Sequence, residues 1–544
     1  MRGRPATGEN QRLKETTDTA TKPTKGWLQQ HWLLLSTLFA LVAMYCFALR
    51  TGAAFVYFGY VWADTCWLIK LGQLIAESGA PPKTDLFSFT LPLLAQQGNP
   101  QPYVIYQWLA ELVLYWGYRL LNPVGLLMAG SLIMTLAFLT IPIRACIRAN
   151  APAAWSLLAV IAASLSANVR CVIRPEIFSY LNLAICLALL QPLREERADT
   201  EAKTNSINWS TVVALSLLMA VWSNLHSGFV TGLILVALYT LCFLLEDWTT
   251  KKSLSGPTKT LLSALAISGL ATLINPYGVG LWFYLPHLFF MPINAEIDEC
   301  KPLFSLTLYR AIYFYCVTAL CWGALAVRAY KTWKSDPATL RSPVRQSGLL
   351  LALIATCLGL WMRRLTPFAA IVMVVETANY IGDKVKVQQW LNSFWRRKSS
   401  YLAFELAMLA CAASGVLAIA GSSVTVPAST QDFKPPFSAV DFLIKEHNGG
   451  RVFSSLPISD MLDMYWGPHA ALFIDSRMDA YSEEIIQDYL AVLYGKPNWR
   501  DVLDRYQIKW IFLSPEKPMC RLLEAQPEWE VVYRDPSAII FRRR

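Results

Sequence analysis

The sequence predicts a polytopic α-helical membrane protein that ends in a small α/β domain. Three observations carry this. Hydrophobic residues make up 55% of the chain and charged residues only 16%, well away from soluble usage. Apolar runs of roughly 17–25 residues recur along most of the length, each long enough to cross a ~30 Å hydrocarbon core as a helix. After residue 421 the pattern changes to short, alternating helix and strand signals.

Taken in order, residues 1–26 are polar and mixed in charge, and no small-residue cleavage site follows them. They read as a disordered cytoplasmic tail ahead of a retained first span at 32–49. Lysines and arginines gather in short connections, so the positive-inside rule places the loops that begin at Arg144, Arg194, Glu246, Arg328 and Gly382 in the cytoplasm. The same rule accounts for the net charge of +10 without a nucleic-acid partner. The expected count is about eleven spans, with up to about thirteen open. Residues 106–121 are apolar enough to cross, yet a crossing there would invert every later loop, so they read as a helix partly inserted at the outer face. The multispan domain is placed at 27–421 with a first outer loop at 51–105, and the α/β domain at 422–544, outside. In that domain "RVF", "ALFID", "KWIFLS", "WEVVYRD" and "AIIFRRR" read as strands, while "FSAVDFLIKEHNGG" and "SEEIIQDYLAVLYG" read as helices.

This topology gathers Asp64, Asp85, Arg170, Arg174, Glu176, Asn224, His226, Asn275, Arg363 and Arg364 at one membrane boundary. Charge near a bilayer is expensive unless paired or hydrated, so each is a functional candidate. Asp64 precedes an amphipathic helix with Trp67, Leu68, Leu71, Leu74 and Ile75 on one side and Lys70, Gln73 and Glu77 on the other, the pattern of a helix lying along the interface. Gly79, Pro81 and Pro82 end it, and Asp85 follows in a turn. Asp64 is equally suited to cap that helix, and Asp85 to brace the turn. "NPYG" at 275–278 reads as a helix stop. His226 reads as a packing histidine beside a helix break or as a sugar contact. In "FIDSRMDAY" Asp475 and Arg477 suit either hydroxyl recognition or anchoring of their own loop. The twelve cysteines occur singly, there are five histidines, and no metal-ligand spacing is present. Hydrolase, P-loop and dinucleotide motifs are absent as well.

The segments "ADTCWLIKLGQLIAESGAPPKTDLFSFT", "YQWLAE", "RPEIFSYL", "WSNLHSGF", "NPYG", "RRLTPF" and "FIDSRMDAY" resemble, in order, the landmarks of a group of bacterial multispanning proteins similar to GT-C glycosyltransferases. The likeness runs from about residue 32 to the end. Cys66-Trp67 and Gln107 depart from it, and the second removes a carboxylate. The resemblance implies a bacterial cytoplasmic-membrane enzyme, its N-terminus inside, that takes sugar from a polyprenyl-phosphate donor and passes it to an envelope lipid, glycan or protein on the outer face. It implies Asp64 as the catalytic base, supported by Asp85. The leaving lipid phosphate needs cations, a task suited to the paired donors of Arg170, Arg174, Arg363 and Arg364. Asn224, His226, Glu111, Asp475 and Arg477 are candidates for sugar or acceptor contact. No cofactor is assigned, and a divalent cation held by the two aspartates stays open. The alternative is a non-catalytic protein that binds or moves a lipid-linked glycan, or assembles an envelope polymer, with the same arginines.

Overall fold

The computed structural model describes residues 61–167, 172–198, 206–250, 253–295, 297–335, 343–382 and 436–544. The expected tail, the first span at 32–49, the last span near 403–420 and Arg170 all lie outside these residues.

Helix α1 (Val61–Ser78) is followed by the short α2 (Thr90–Gln96) and by α3 (Trp108–Thr135). The α3 helix is two pieces: Asn122, at φ 57° and ψ 179°, breaks it just before Pro123. The expected outer helix at 106–121 is thus a distinct segment. Beyond the break, α3 runs through a π-turn at Leu136–Thr140 into α4 (Ile141–Arg148). Then come α5 (Ala153–Ser166), α6 (Glu176–Ala198), α7 (Trp209–Leu225), α8 (Phe229–Thr250), α9 (Gly256–Ala271), α10 (Gly280–Phe289), α11 (Leu308–Ser335), α12 (Pro343–Trp361) and α13 (Thr366–Ile381). Among the described residues four stretches are long and apolar enough to cross a membrane: Met128–Arg148, Glu176–Glu195, Phe229–Thr250 and Ala311–Ser335.

Helix α13 is apolar on nearly every side and is buried accordingly, packed against α12, α11 and α5. Its one carboxylate, Glu376, is fully buried and meets Arg194 Nη1 at 2.5 Å and the Tyr239 hydroxyl, so a single charge pair ties α13 to α6 and α8. Such a pair is retained because losing either partner would strand the other in a low-dielectric interior.

The C-terminal region contains α14 (Phe437–Glu446), β1 (Arg451–Ser454), α15 (Leu456–Tyr465), α16 (Glu483–Leu493), α17 (Trp499–Arg505), β2 (Ile508–Leu513), α18 (Pro518–Glu524), β3 (Trp529–Arg534) and β4 (Ile539–Arg543). The sheet order is β1-β2-β4-β3, with β1 and β2 parallel and the other pairs antiparallel. Four of the five expected strands form. "ALFID" is reduced to one bridging residue, Leu472, because Ala471 turns into left-handed space at φ 42° and Asp475 is drawn into the loop beyond. Leu472 pairs with Val452 of β1 on one side and with Ser88 on the other. Thr90 Oγ1 donates to Phe473 O at 2.7 Å beside it. Leu91 and Leu94 of α2, with Met291 and Ile293, enter the same apolar core as Phe453, Ile511 and Phe541 of the sheet.

Helix α1 does not lie open on an interface. Its apolar side is covered by α3 and α15. Gly72 makes the first contact possible: a Cβ there would stand 2.1 Å from the Glu111 carbonyl oxygen. Gly79, at φ 76°, stops the helix as the sequence predicts, its N–H donating to Ile75 O at 2.8 Å.

Candidate active site

Asp64 lies inside α1, with helical residues before it, so it is not the N-cap. Its carboxylate instead forms an ion pair with Arg174, in the turn that opens α6. Both side chains are partly open, at 23% and 29% exposure. Arg174 Nη1 also reaches Glu299 Oε1 at 3.3 Å. The neighbouring Asp298 accepts from Arg363 Nη1 at 2.5 Å. Arg364 pairs with Glu176 Oε1 at 3.1 Å, two residues from Arg174. Five of the residues singled out at the boundary, Asp64, Arg174, Glu176, Arg363 and Arg364, therefore belong to three ion-paired groups, related through the near neighbours Arg174 and Glu176 and the adjacent Asp298 and Glu299. Asp298 and Glu299 complete these groups and were missed; the acidic cluster "EIDEC" was the available signal.

The arginines are not equivalent. Arg363 is buried, and its donors serve Asp298 Oδ2 and O, Pro302 O at 3.4 Å and Ser305 Oγ at 2.7 Å, so it fixes the 298–305 loop. Arg174 and Arg364 are partly exposed, the first paired to the partly open Asp64 and the second to the buried Glu176, and each leaves a cation that a phosphate could reach.

Asp85 belongs to a second, sealed cluster. Its oxygens accept from the Phe87 and Ser88 N–H groups at 3.3 and 2.9 Å, from Ser88 Oγ at 2.5 Å and from Arg477 Nη2 at 2.6 Å. Arg477 also grips Asp475, with Nε to Oδ1 at 2.9 Å, and donates to the Tyr103 hydroxyl at 2.7 Å. The pair in "FIDSRMDAY" thus anchors its own loop and also clamps it to the chain after α1. Burial works against the Arg477 charge, but Asp475 and Asp85 hold its pKa well above the ordinary value. Three further carboxylates lie in the surrounding structure: Asp460 and Asp463 on α15, and Asp479. Burial pushes Asp460 up to about 7 despite hydrogen bonds from the Ser476 N–H and Oγ at 3.0 and 2.6 Å. Asp463 is fully buried with neither oxygen hydrogen-bonded among the described residues, and burial raises it well above the carboxylate range. Helix α15 was not anticipated, although Ile458, Met461, Leu462 and Tyr465 in "LPISDMLDMY" have helical spacing after a first-turn proline.

Glu111 is buried in α3 and lines a cavity of about 30 Å³ with Trp67, Tyr103, Tyr284, Arg477 and Asp479. Its Oε2 and the Trp67 Nε1 are buried without hydrogen bonds among the described residues, room and chemistry for one water or one ligand hydroxyl. Asn224 is fully used: Nδ2 donates to Ala220 O and Ile274 O, both at 2.7 Å, and Oδ1 accepts from Trp108 Nε1 at 2.7 Å. His226 caps the end of α7, its Nδ1 accepting from the Gly228 N–H at 3.0 Å with Ser179 Oγ at 2.9 Å. His226 is buried at this helix break. Asn275 braces the "NPYG" turn, and Gly278 takes its left-handed corner at φ 53°. No cluster of three or more His, Cys, Asp or Glu side chains among the described residues is arranged to hold a metal ion.

No protein-family model matches the chain, and no curated protein matches it. Among solved structures it is similar to ArnT from Cupriavidus metallidurans bound to undecaprenyl phosphate, at 14% identity and a TM-score of 0.46, over 94% of this chain and 97% of that one. The apo state of the same protein gives 14% identity and a TM-score of 0.37, over 94% and 98%. No residue role is transferred across so low an identity.

Proposed function

We propose that the chain is a membrane glycosyltransferase that moves a sugar from a polyprenyl-phosphate donor to an envelope lipid, glycan or protein acceptor on the outer face. The observation that supports this most directly is the partly open Asp64–Arg174 pair, with Arg364 paired to Glu176 two residues along the chain from Arg174. A donor phosphate set against Arg174 and Arg364 competes with the carboxylates for their N–H groups, which releases Asp64. The acceptor oxygen then attacks the anomeric carbon and its proton passes to Asp64. The bond from that carbon to the phosphate oxygen breaks with its electron pair on the phosphate, and polyprenyl phosphate departs without needing an acid. Attack opposite the leaving group inverts the anomeric centre. A positioned carboxylate base contributes on the order of 10²–10⁴-fold. Arg363 and Asp85 serve as positioning residues, one for the 298–305 loop and the other for the chain after α1.

The test is transfer of radiolabelled sugar from a panel of polyprenyl-phosphate sugars in membranes holding wild-type or Asp64→Asn protein at equal abundance. Transfer by the wild type and a loss of about 10²–10⁴-fold in the variant are expected. Wild-type membranes that consume no donor, yet bind lipid-linked glycan as well as the variant does, would replace the enzyme with a carrier or assembly protein.

A further inference from the structure

A second cavity, of about 320 Å³, opens where the chain at the end of α10 meets the start of α16. His287 and Phe290 contribute one part of its wall, Tyr481, Glu483 and Gln487 another, and Gln101 a third. The volume falls at the small end of the range for ligand sites. The wall combines two kinds of surface. Phe290 supplies a ring face, left 83% exposed, while Tyr481 is buried behind the wall in the apolar core. Glu483 and the two glutamines supply acceptors and amide donors within the same space, a set that satisfies hydroxyls in both directions.

No lysine or arginine lines this cavity among the described residues, so a phosphate finds no cation there. The contrast with the arginines beside Asp64 separates two ligand chemistries. One wall residue of the cavity also contacts the interior. The Tyr284 hydroxyl donates to Asp479 Oδ2 at 2.8 Å and His287 Nε2 lies 3.1 Å from Asp479 O. Tyr284 and Asp479 in turn line the small cavity that contains the unpartnered groups of Glu111 and Trp67. The two spaces therefore flank one Tyr–Asp contact.

We propose that the larger cavity is a carbohydrate subsite that holds an uncharged sugar of the acceptor, which makes the acceptor a neutral glycan. This assignment rests on the glycosyl-transfer function. The Phe290 ring binds the apolar C–H face of a pyranose, and Glu483, Gln487 and Gln101 take its hydroxyls.

Binding and transfer are measured separately. Uncharged trisaccharides of glucose, galactose, mannose and N-acetylglucosamine are titrated into the full-length protein in lipid nanodiscs and followed by saturation-transfer NMR and calorimetry. The variants are Phe290→Ala and Gln487→Ala, both at exposed positions. At least one trisaccharide is expected to bind the wild type, with affinity reduced about tenfold or more in the double variant and unchanged in Asp64→Asn. Failure of all four to bind, or binding indifferent to the double variant, overturns the subsite. Binding that follows these residues while no donor sugar is ever transferred keeps the subsite and removes the transferase. Transfer that depends on Asp64 with an acceptor KM unmoved by the double variant does the reverse.

Discussion

Two aspartate–arginine clusters in this molecule use the same residue types under opposite conditions. Around Asp64 the carboxylates and cations are paired at a partly open edge, where Asp64 is 23% and Arg174 29% exposed. Around Asp85 the side chains are 1% and 6% exposed, and Arg477 is gripped by two carboxylates at once. Water screens the first cluster, so its members can change partners at little cost. The second has no such freedom, since removing one ion leaves the others buried and uncompensated. An Asp and an Arg that meet can thus form a reactive edge or a clamp, and solvent access decides which.

The largest effect belongs to the clamp. Arg477→Ala is expected to destabilise the protein by about 3–5 kcal/mol, read as loss of protease resistance in the C-terminal region and a lower unfolding midpoint. A loss below about 1 kcal/mol would mean that the cluster is wet and the contrast is false.

Asp463→Asn acts on the same region with the opposite sign. A buried carboxyl raised above its ordinary value favours folding while it keeps its proton. That contribution is complete below the unfolded value and is lost as pH rises through the folded one. For Asp460, with its value at about 7, the loss runs from roughly pH 4 to pH 7. Asp463 is raised too, chiefly by burial, so its replacement by Asn should gain stability relative to the wild type as pH rises above the ordinary carboxylate range. Unfolding midpoints over that rise check it, and a difference that does not vary with pH would refute a retained proton.

Arg174→Ala sharpens the comparison from the other side. Because the pair is partly exposed, stability should change by no more than about 1 kcal/mol, while sugar transfer falls at least tenfold. Equal losses in both would make Arg174 another clamp. Smallest of all, Arg148→Ala breaks a pair with Glu195 in which both side chains are 45% exposed, and should shift stability by less than about 0.5 kcal/mol.

The sequence carried the helix of Asp64, its stop at Gly79, the "NPYG" turn and four of the strands, because local chemistry decides each of these. It also ranked Asp64 and the arginines at 174, 363 and 364 as one group, since charge at a membrane edge is rarely idle. It could not separate Arg174 from Arg363, whose difference lies in the 298–305 loop folding over one and not the other. Nor could it join Asp85 to Arg477, or place Asp460 and Asp463 beside them. Those contacts come from tertiary pairing across hundreds of residues, for which no local pattern exists. Glu111 was legible as a motif residue, yet its unpartnered oxygen appears only once Trp67 and Arg477 close around it.

The bond from Thr90 to Phe473 spans 383 residues. At synthesis rates of about 5–20 residues per second, the ribosome needs roughly 20–80 s to make the intervening chain. Throughout that interval the segment after the Asp64 helix has no strand to lie against and no Arg477 to neutralise Asp85. Formation of this region is therefore a late event in biogenesis, completed after the helices between have been made. A chain cut short before residue 473 would deliver its helices to the membrane with this seam unfinished.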